Sequence, residues 1–342
     1  MEKVKVCLLG FGGIARSHFK SYLKLAQRNA PVELVAICDI DPERLEACKK
    51  EFNVPIAVTD YKELVNLPEV DAVVIGSPDQ DHPEMVAAFL RAGKDVMCEK
   101  PMALSPEECE EMMRIEKETG RMLMIGQVCR FTPGFVTAKQ LIDDGRIGDL
   151  IFVESEYAHN YTKARGHNDW RVVPERHGFI GGGCHAVDLL RWIAGDPIEV
   201  YAHHNHKSLA DWPTPDTAIA IYKFPNDVMG KVFVSTGCKR NYTMRTCLYG
   251  TTGTIIFESR GTEIFLYQED HNGNYYTCPR KLATTPKGHN MMDEVKDFID
   301  AIVQNKPNPI SSIEGASTVA VCRAAVESAQ TSAPVQIKYP EV

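Results

Sequence analysis

Over the first 128 residues, short unbroken apolar runs alternate with stretches whose apolar positions recur every three to four places. The runs at 4–9, 34–38, 72–75, 96–98 and 122–128 predict strands buried on both faces, because their apolar residues are continuous instead of alternating. The stretches at 14–28, 42–51, 83–92 and 106–119 have helical period. In the last two, Asp81 or Ser105 stands as a cap close before a proline in the first turn. Successive βαβ units imply a doubly wound parallel sheet.

After about residue 130 the texture changes. Strands are expected at 151–161, 200–204, 219–224, 232–235, 244–249, 254–258 and 263–268. Turn chemistry separates them at Phe224-Pro225-Asn226-Asp227 and at Asp270-His271-Asn272-Gly273. That pattern predicts a large, mainly antiparallel sheet, followed by helices at 292–303 and 315–330. The expected fold class is therefore α/β, with a doubly wound first domain over 1–128 and a second α/β domain over 129–342. The last helices are free to pack back on the first domain.

The length of 342 residues agrees with two domains, since single cores stop growing well below that size. Hydrophobic residues at 44% and charged residues at 25% are ordinary for a globular chain. No apolar run approaches a membrane span, and residues 1–5 lack the order of a secretory signal, which places the protein in the cytoplasm. Eleven scattered cysteines without a CxxC pair read as reduced core thiols. A net charge of −8 argues against nucleic acid or an anionic membrane as partner and leaves a small molecule as the ligand class.

The first strand runs into Gly10-Phe11-Gly12-Gly13-Ile14-Ala15, a G-x-G-x-x-A turn opening a helix. The first glycine makes the tight turn, the second lets backbone approach a pyrophosphate, and small Ala15 permits close packing of the helix. The diphosphate would then sit on the helix N-terminus. Asp39 closes the second strand, where a carboxylate can accept both ribose hydroxyls and repel a 2′-phosphate, which favours NAD over NADP. Asp39 could instead simply begin a turn with Asp41 and Pro42, and nearby Arg44 keeps NADP open.

Three further stretches carry a resemblance: "SPDQDHPEMVAAFLRAGKDVMCEKP" from Ser77, "GQVCRFTPGF" from Gly126 and "GGGCHAVDLLRW" from Gly181. They resemble the successive signatures of the glucose-fructose oxidoreductase and inositol dehydrogenase family, Gfo/Idh/MocA, and with "YGTTGTIIF" from Tyr249 the resemblance covers nearly the whole chain. It implies an NAD-binding Rossmann domain over 1–128 and a substrate-binding and oligomerisation α/β domain over 129–342. It also implies an NAD-dependent oxidoreductase acting on a hydroxyl or carbonyl carbon of a sugar, sugar acid or cyclitol, and a homodimer or homotetramer formed through the large sheet. By the same resemblance Ser77, Pro78 and His82 would line the nicotinamide half of the cofactor, with Glu99, Lys100 and Gln127 close by and Trp170 and Arg171 reaching it. Lys100 also ends an apolar strand, where ligands of open α/β sheets bind. A lysine beside a cationic nicotinamide can have its proton affinity lowered, and a histidine is the usual partner near neutral pH. Lys100 and His185 supply that catalytic pair, although Lys100 could be a solvated strand-end lysine and His185 a core histidine.

Relatives commonly read D-x-G-x-H-x-x-D where this chain aligns His185 and Asp188 with the last two members. Gly181 then stands where the first aspartate is expected. The strand preceding it offers replacements on one face by the period of two: Tyr157, His159, Tyr161, Lys163 and Arg165, with Asp169 a further candidate carboxylate. Such a face suits a polyhydroxylated substrate; the alternative is a solvated loop after Tyr161. No paired spacing of a zinc site occurs among Cys184, His185, Asp188, His203, His204 and His206, so no metal is expected. A redox-neutral glycoside-cleaving enzyme that keeps NAD bound, and a cofactor-sensing regulator, are the competing functions.

Overall fold

A computed structural model describes residues 3–269, 272–274, 278–285 and 288–341. The N-terminal runs form β1 (Val4–Leu9), α1 (Gly13–Gln27), β2 (Val32–Cys38), α2 (Pro42–Phe52), β3 (Ile56–Val58), α3 (Lys62–Val65), β4 (Ala72–Ile75), α4 (His82–Arg91), β5 (Asp95–Glu99), α5 (Pro106–Thr119) and β6 (Leu123–Gly126). The six strands pair in parallel in the order β3-β2-β1-β4-β5-β6. The order reverses between β1 and β4, so a ligand crevice is expected beyond the carboxyl ends of those two strands, at Gly10 and Gly76.

Local chemistry explains most of these boundaries. Ser105 makes a full capping box with Glu108 at the start of α5, and Asp41 accepts from the Glu43 and Arg44 amides at the start of α2. Asp81 makes no capping hydrogen bond, because its backbone is already helical. The strand expected over 122–128 stops at Gly126, where a 3-10 turn at Val128–Phe131 begins. Three-residue β3 is an edge strand only half buried, too short to register as a run.

The rest of the chain continues as α6 (Pro133–Asp143), β7 (Leu150–Ala158), α7 (Gly178–Gly181), α8 (Cys184–Ala194), β8 (Glu199–Asn205), β9 (Thr217–Lys223), β10 (Met229–Ser235), β11 (Thr243–Gly250), β12 (Gly253–Glu258), β13 (Glu263–Gln268), β14 (Arg280–Ala283), α9 (Met291–Gln304), α10 (Ser312–Thr331) and β15 (Val335–Gln336). Its sheet has the order β14-β13-β12-β11-β7-β10-β9-β8-β15 and is antiparallel except where β7 and β10 run parallel. Strand alternation sends Ala218, Ala220 and Tyr222 of β9 inward and leaves Ile219 and Ile221 exposed. α8 lies on the inner face, where a Cβ on Gly230 would come 2.9 Å from Leu190. The β9–β10 turn closes with Asp227 at φ 63° and the Phe224 amide donating to Val228 O. Of the second predicted turn, Asp270 and His271 lie outside the described residues.

The chain divides into two units: Met1–Gln127 with Met291–Ser317 and Pro340–Val342, and Val128–Asn290 with Thr318–Tyr339. Helix α9 therefore belongs with the parallel sheet, where it packs on α1. None of the eleven cysteines forms a disulfide, and burial pushes the thiols of Cys7, Cys98 and Cys322 up. Among the described residues no helix is long and apolar enough to cross a membrane.

Candidate active site

In the first unit the turn after β1 has the geometry a dinucleotide needs. Gly10 sits at φ +83°, and a Cβ there would lie 2.8 Å from Gly76 O. Gly12 and Gly13 face open space, and Gly12 caps α1 without any side-chain hydrogen bond, so the first helical amides are left for an anion. Ala15 is small because Gly76 crosses beside it: a Cβ on Gly76 would be 3.1 Å from that of Ala15. The Asp39 carboxylate accepts from the Phe11 amide at 2.6 Å and the Asp41 amide at 2.9 Å, with Arg44 at 3.4 Å. It thus ties the end of β2 to the glycine turn. Phe11 and Ile14 divide: the Phe11 ring turns into the core against Phe19, while Ile14 is half-buried on the first turn of α1.

Beyond β4, the buried His82 ring bridges Ser77 O and Pro101 O, at 3.3 and 2.9 Å. This fastens the Ser77-Pro78 turn to the cis Lys100-Pro101 peptide. The Ser77 hydroxyl and the Gln127 amide oxygen are buried without a protein partner. A glycine cradle, an uncapped helix start and two unsatisfied polar atoms beyond the strand ends fit a dinucleotide such as NAD.

Glu99 turns into the protein. Its Oε1 is 2.7 Å from His18 Nε2 of α1, and its Oε2 accepts from the Lys100 amide at 3.2 Å. Burial alone would raise this carboxyl, but His18 and Lys100 hold it below the usual range. Deeper, Glu294 of α9 is 0% exposed and neither of its oxygens has a protein partner; Tyr22 Oη and His18 Nδ1 are likewise unpartnered. Burial, then the charge on Glu99, pushes Glu294 well up and favours its protonated form.

In the second unit the three glycines before α8 are filled from the side. A Cβ on Gly181 would be 2.3 Å from Arg176 Nη1, one on Gly182 2.4 Å from the Tyr157 ring, and one on Gly183 2.6 Å from Val234. The missing aspartate's place is thus next to a guanidinium, which donates to Gly181 O at 3.0 Å and lies 5.0 Å from the Trp170 ring. Arg176 is 6% exposed.

His185, on the first turn of α8, is 4% exposed and stacks between Tyr157 and His289, at 6.2 and 5.4 Å between centroids. Its Nδ1 is 3.4 Å from Cys129 Sγ, which also approaches Met244 Sδ at 3.4 Å and His289 Nδ1 at 3.9 Å. Tyr242 Oη lies 3.1 Å from His289 Nε2. The expected period-two face holds as far as Tyr161: Tyr157 Oη bonds both His159 Nδ1 at 3.1 Å and Tyr161 Oη at 2.8 Å. Burial, then neighbouring Tyr161 and Tyr242, pushes the Tyr157 phenol up, so it stays a neutral donor.

Past Tyr161 the face ends. Lys163 is exposed, and Arg165 pairs with Asp169 and Asp211 at 2.9 and 2.7 Å. Asp169 is thereby held by Arg165 in an exposed ion pair and does not join the His185 cluster. Arg171 covers the Trp170 ring at 4.1 Å. Asp188 accepts two hydrogen bonds at 2.7 and 3.0 Å from Arg130 and one from Thr318, a buried pair that anchors α8. Among the described residues no group of three or more His, Cys, Asp or Glu could hold a metal ion.

Sequence reading passed over His18, Cys129, Arg176, Tyr242, His289 and Glu294. Only Glu294 left a signal, a carboxylate on the apolar face of a helical period; the others meet through tertiary packing.

The parallel-sheet unit matches the family model described as an oxidoreductase family with NAD-binding Rossmann fold over residues 4–127, and residues 135–256 match the GFO/IDH/MocA C-terminal domain. The chain is 27% identical to the inositol 2-dehydrogenase/D-chiro-inositol 3-dehydrogenase of Lactiplantibacillus plantarum, over 98% of this chain and 94% of that one. It is 27% identical to inositol 2-dehydrogenase 2 of Saccharopolyspora erythraea, over 98% and 96%. The fold superposes on levoglucosan dehydrogenase in complex with NADH with a TM-score of 0.89, at 22% identity, covering 99% of this chain and 100% of the other. With both of its parts matched and the glycine turn, Asp39 and Lys100 in place, the chain belongs to the GFO/IDH/MocA family and is an NAD-dependent oxidoreductase.

Proposed function

We propose that the protein interconverts a secondary hydroxyl and its ketone on a cyclitol, sugar or sugar acid. The observation that carries this reading is the hydroxyl-and-imidazole cluster of Tyr157, His159 and Tyr161 beside His185, in a chain whose curated relatives are named for inositols. When bound, the nicotinamide exchanges a hydride with the carbinol carbon. Gly10, Gly12, Gly13 and the first turn of α1 bind the diphosphate, Asp39 the adenosine ribose, and Ser77, Pro78 and Gln127 the nicotinamide half. Lys100 and His185 handle the hydroxyl proton, and the phenols of Tyr157 and Tyr161 orient the polyol. Redox-neutral glycoside cleavage is not favoured, since the relatives are named as dehydrogenases.

The outward sheet face supports self-association. Tyr201 opposes Ile221 across β8 and β9, and Ile219, Met229 and Tyr249 continue an apolar surface that a second copy would cover. The free thiols suit the cytoplasm. The test is a panel of inositols, hexoses, uronic acids and aryl glycosides assayed for NADH formation and for aglycone release. NADH formed mole for mole with ketone is expected from one of the first three groups; aglycone release without net NADH overturns the reading. His185→Ala is expected to cut turnover strongly while NADH binding persists.

A further inference from the structure

His185 is buried, yet a residue that takes up a hydroxyl proton in every oxidation has to return it to water. In the second unit its Nδ1 faces Cys129 Sγ at 3.4 Å, Cys129 Sγ faces His289 Nδ1 at 3.9 Å, and His289, an exposed residue, faces Tyr242 Oη at 3.1 Å. Each group in the middle of this series can give one proton while accepting another: an imidazole through its two nitrogens, a thiol through its single hydrogen and its lone pairs. The arrangement is held firmly. Cys129 is buried against Met244, the Thr132 hydroxyl donates to Gly288 O at 2.6 Å beside His289, and the two imidazole rings lie 30° from parallel.

We propose that Cys129 and His289 act through His185 as a proton relay, carrying to solvent the proton that leaves the substrate hydroxyl and bringing it back for ketone reduction. This rests on the assignment of His185 as the proton-handling imidazole. In the oxidation direction His185 Nε2 takes the hydroxyl proton and Nδ1–H passes to Cys129 Sγ. The Sγ–H passes in turn to His289 Nδ1, and the proton on His289 Nε2 leaves to water. One proton enters and one leaves, the sulfur ends as a thiol, and both imidazoles end neutral with their tautomers exchanged. Oxidation thus leaves His185 with Nε2–H, the form that protonates a ketone oxygen as hydride arrives, and the reverse sequence returns the hydrogen to Nδ1. Because a single thiol hydrogen lies between them, the two imidazoles change tautomer together.

Nitrogen-15 NMR of the histidines in the full-length protein, and steady-state turnover of the polyol found by the panel, test the relay. In Cys129→Ala the tautomer populations of His185 and His289 are expected to uncouple, and turnover to fall about tenfold or more at unchanged NADH affinity. Imidazole buffer should restore part of that turnover, and Cys129→Ser, which keeps a hydroxyl that both gives and accepts, should restore most of it. His289→Ala should show the same buffer-dependent loss. Wild-type turnover in Cys129→Ala without buffer dependence, or a His289 tautomer that ignores the substitution, overturns the relay. If the wild-type protein oxidises no polyol, the proposed function fails, and the NMR measurement still decides the coupling.

Discussion

The guanidinium of Arg176 lies in the space that a side chain at Gly181 would need, with Nη1 2.3 Å from the position of a Cβ. Because that arginine is buried and bonded to Gly181 O, the site holds fixed positive charge where the resemblance leads one to expect a carboxylate. Gly181→Ala should cost about 1–3 kcal/mol through overpacking, read as a shift of the urea midpoint. Adding Arg176→Ala should remove most of that cost, giving a coupling above about 0.5 kcal/mol in the double-mutant cycle. A strictly additive cycle would mean that the two positions do not compete for space.

The raised proton affinity of Glu294 makes stability fall as pH rises. Its folded pKa is raised, so below the unfolded value of 4.5 both states hold the proton, and above it only the native state does. Wild-type stability should therefore decline relative to Glu294→Gln, by about 1.4 kcal/mol per pH unit above that value until the native acid ionises. Denaturation of both proteins at pH 4 and pH 7 measures this. A difference that does not change with pH would show that the carboxyl is already ionised in the fold.

His177 works in the opposite pH direction. Burial, then His204 at 3.2 Å, lowers it from 6.5 to about 3, while its Nδ1 accepts the Phe179 amide at the start of α7. The unfolded chain takes up a proton below pH 6.5 that the native ring refuses until about pH 3, so stability is full above 6.5 and is lost as pH falls through that window. His177→Asn should be less stable at pH 7 yet lose less between pH 7 and pH 4, followed by thermal melts.

Asp39 joins cofactor selection to the glycine turn through the Phe11 amide. Asp39→Ala should weaken NADH about tenfold, close to 1.4 kcal/mol, and narrow the preference over NADPH, because a carboxylate that repels a 2′-phosphate is gone and Arg44, though still paired with Asp41, stands beside the vacated position. Fluorescence titration with both cofactors gives the ratio; an unchanged ratio would assign Asp39 to the turn alone.

The first half of the fold was legible because buried parallel strands are written as unbroken apolar runs: β1, β4 and α5 fall where the pattern puts them. The glycine turn, Asp39 and Lys100 were legible for a related reason, since local backbone chemistry demands those residue types at fixed offsets. His185 was found by its neighbours in the chain, but the groups around it were not. Cys129, Tyr242 and His289 come from three separate segments, and nothing periodic links them. Glycines 181–183 mark that space is needed there, and Arg176, Tyr157 and Val234 occupy it. A sequence records that space is made and leaves unstated what fills it.

Helix α9 also bears on how the protein is made. The unit that contains the glycine turn draws on residues 291–317, with Val295 and Phe298 buried in α9 and that helix packed on α1. A ribosome has therefore emitted every strand of the second sheet except β15 before the nucleotide-binding half can close its core. Until then the flank of α1 bearing His18 and Tyr22 is bare, so cofactor capture waits on nearly the whole length of the chain.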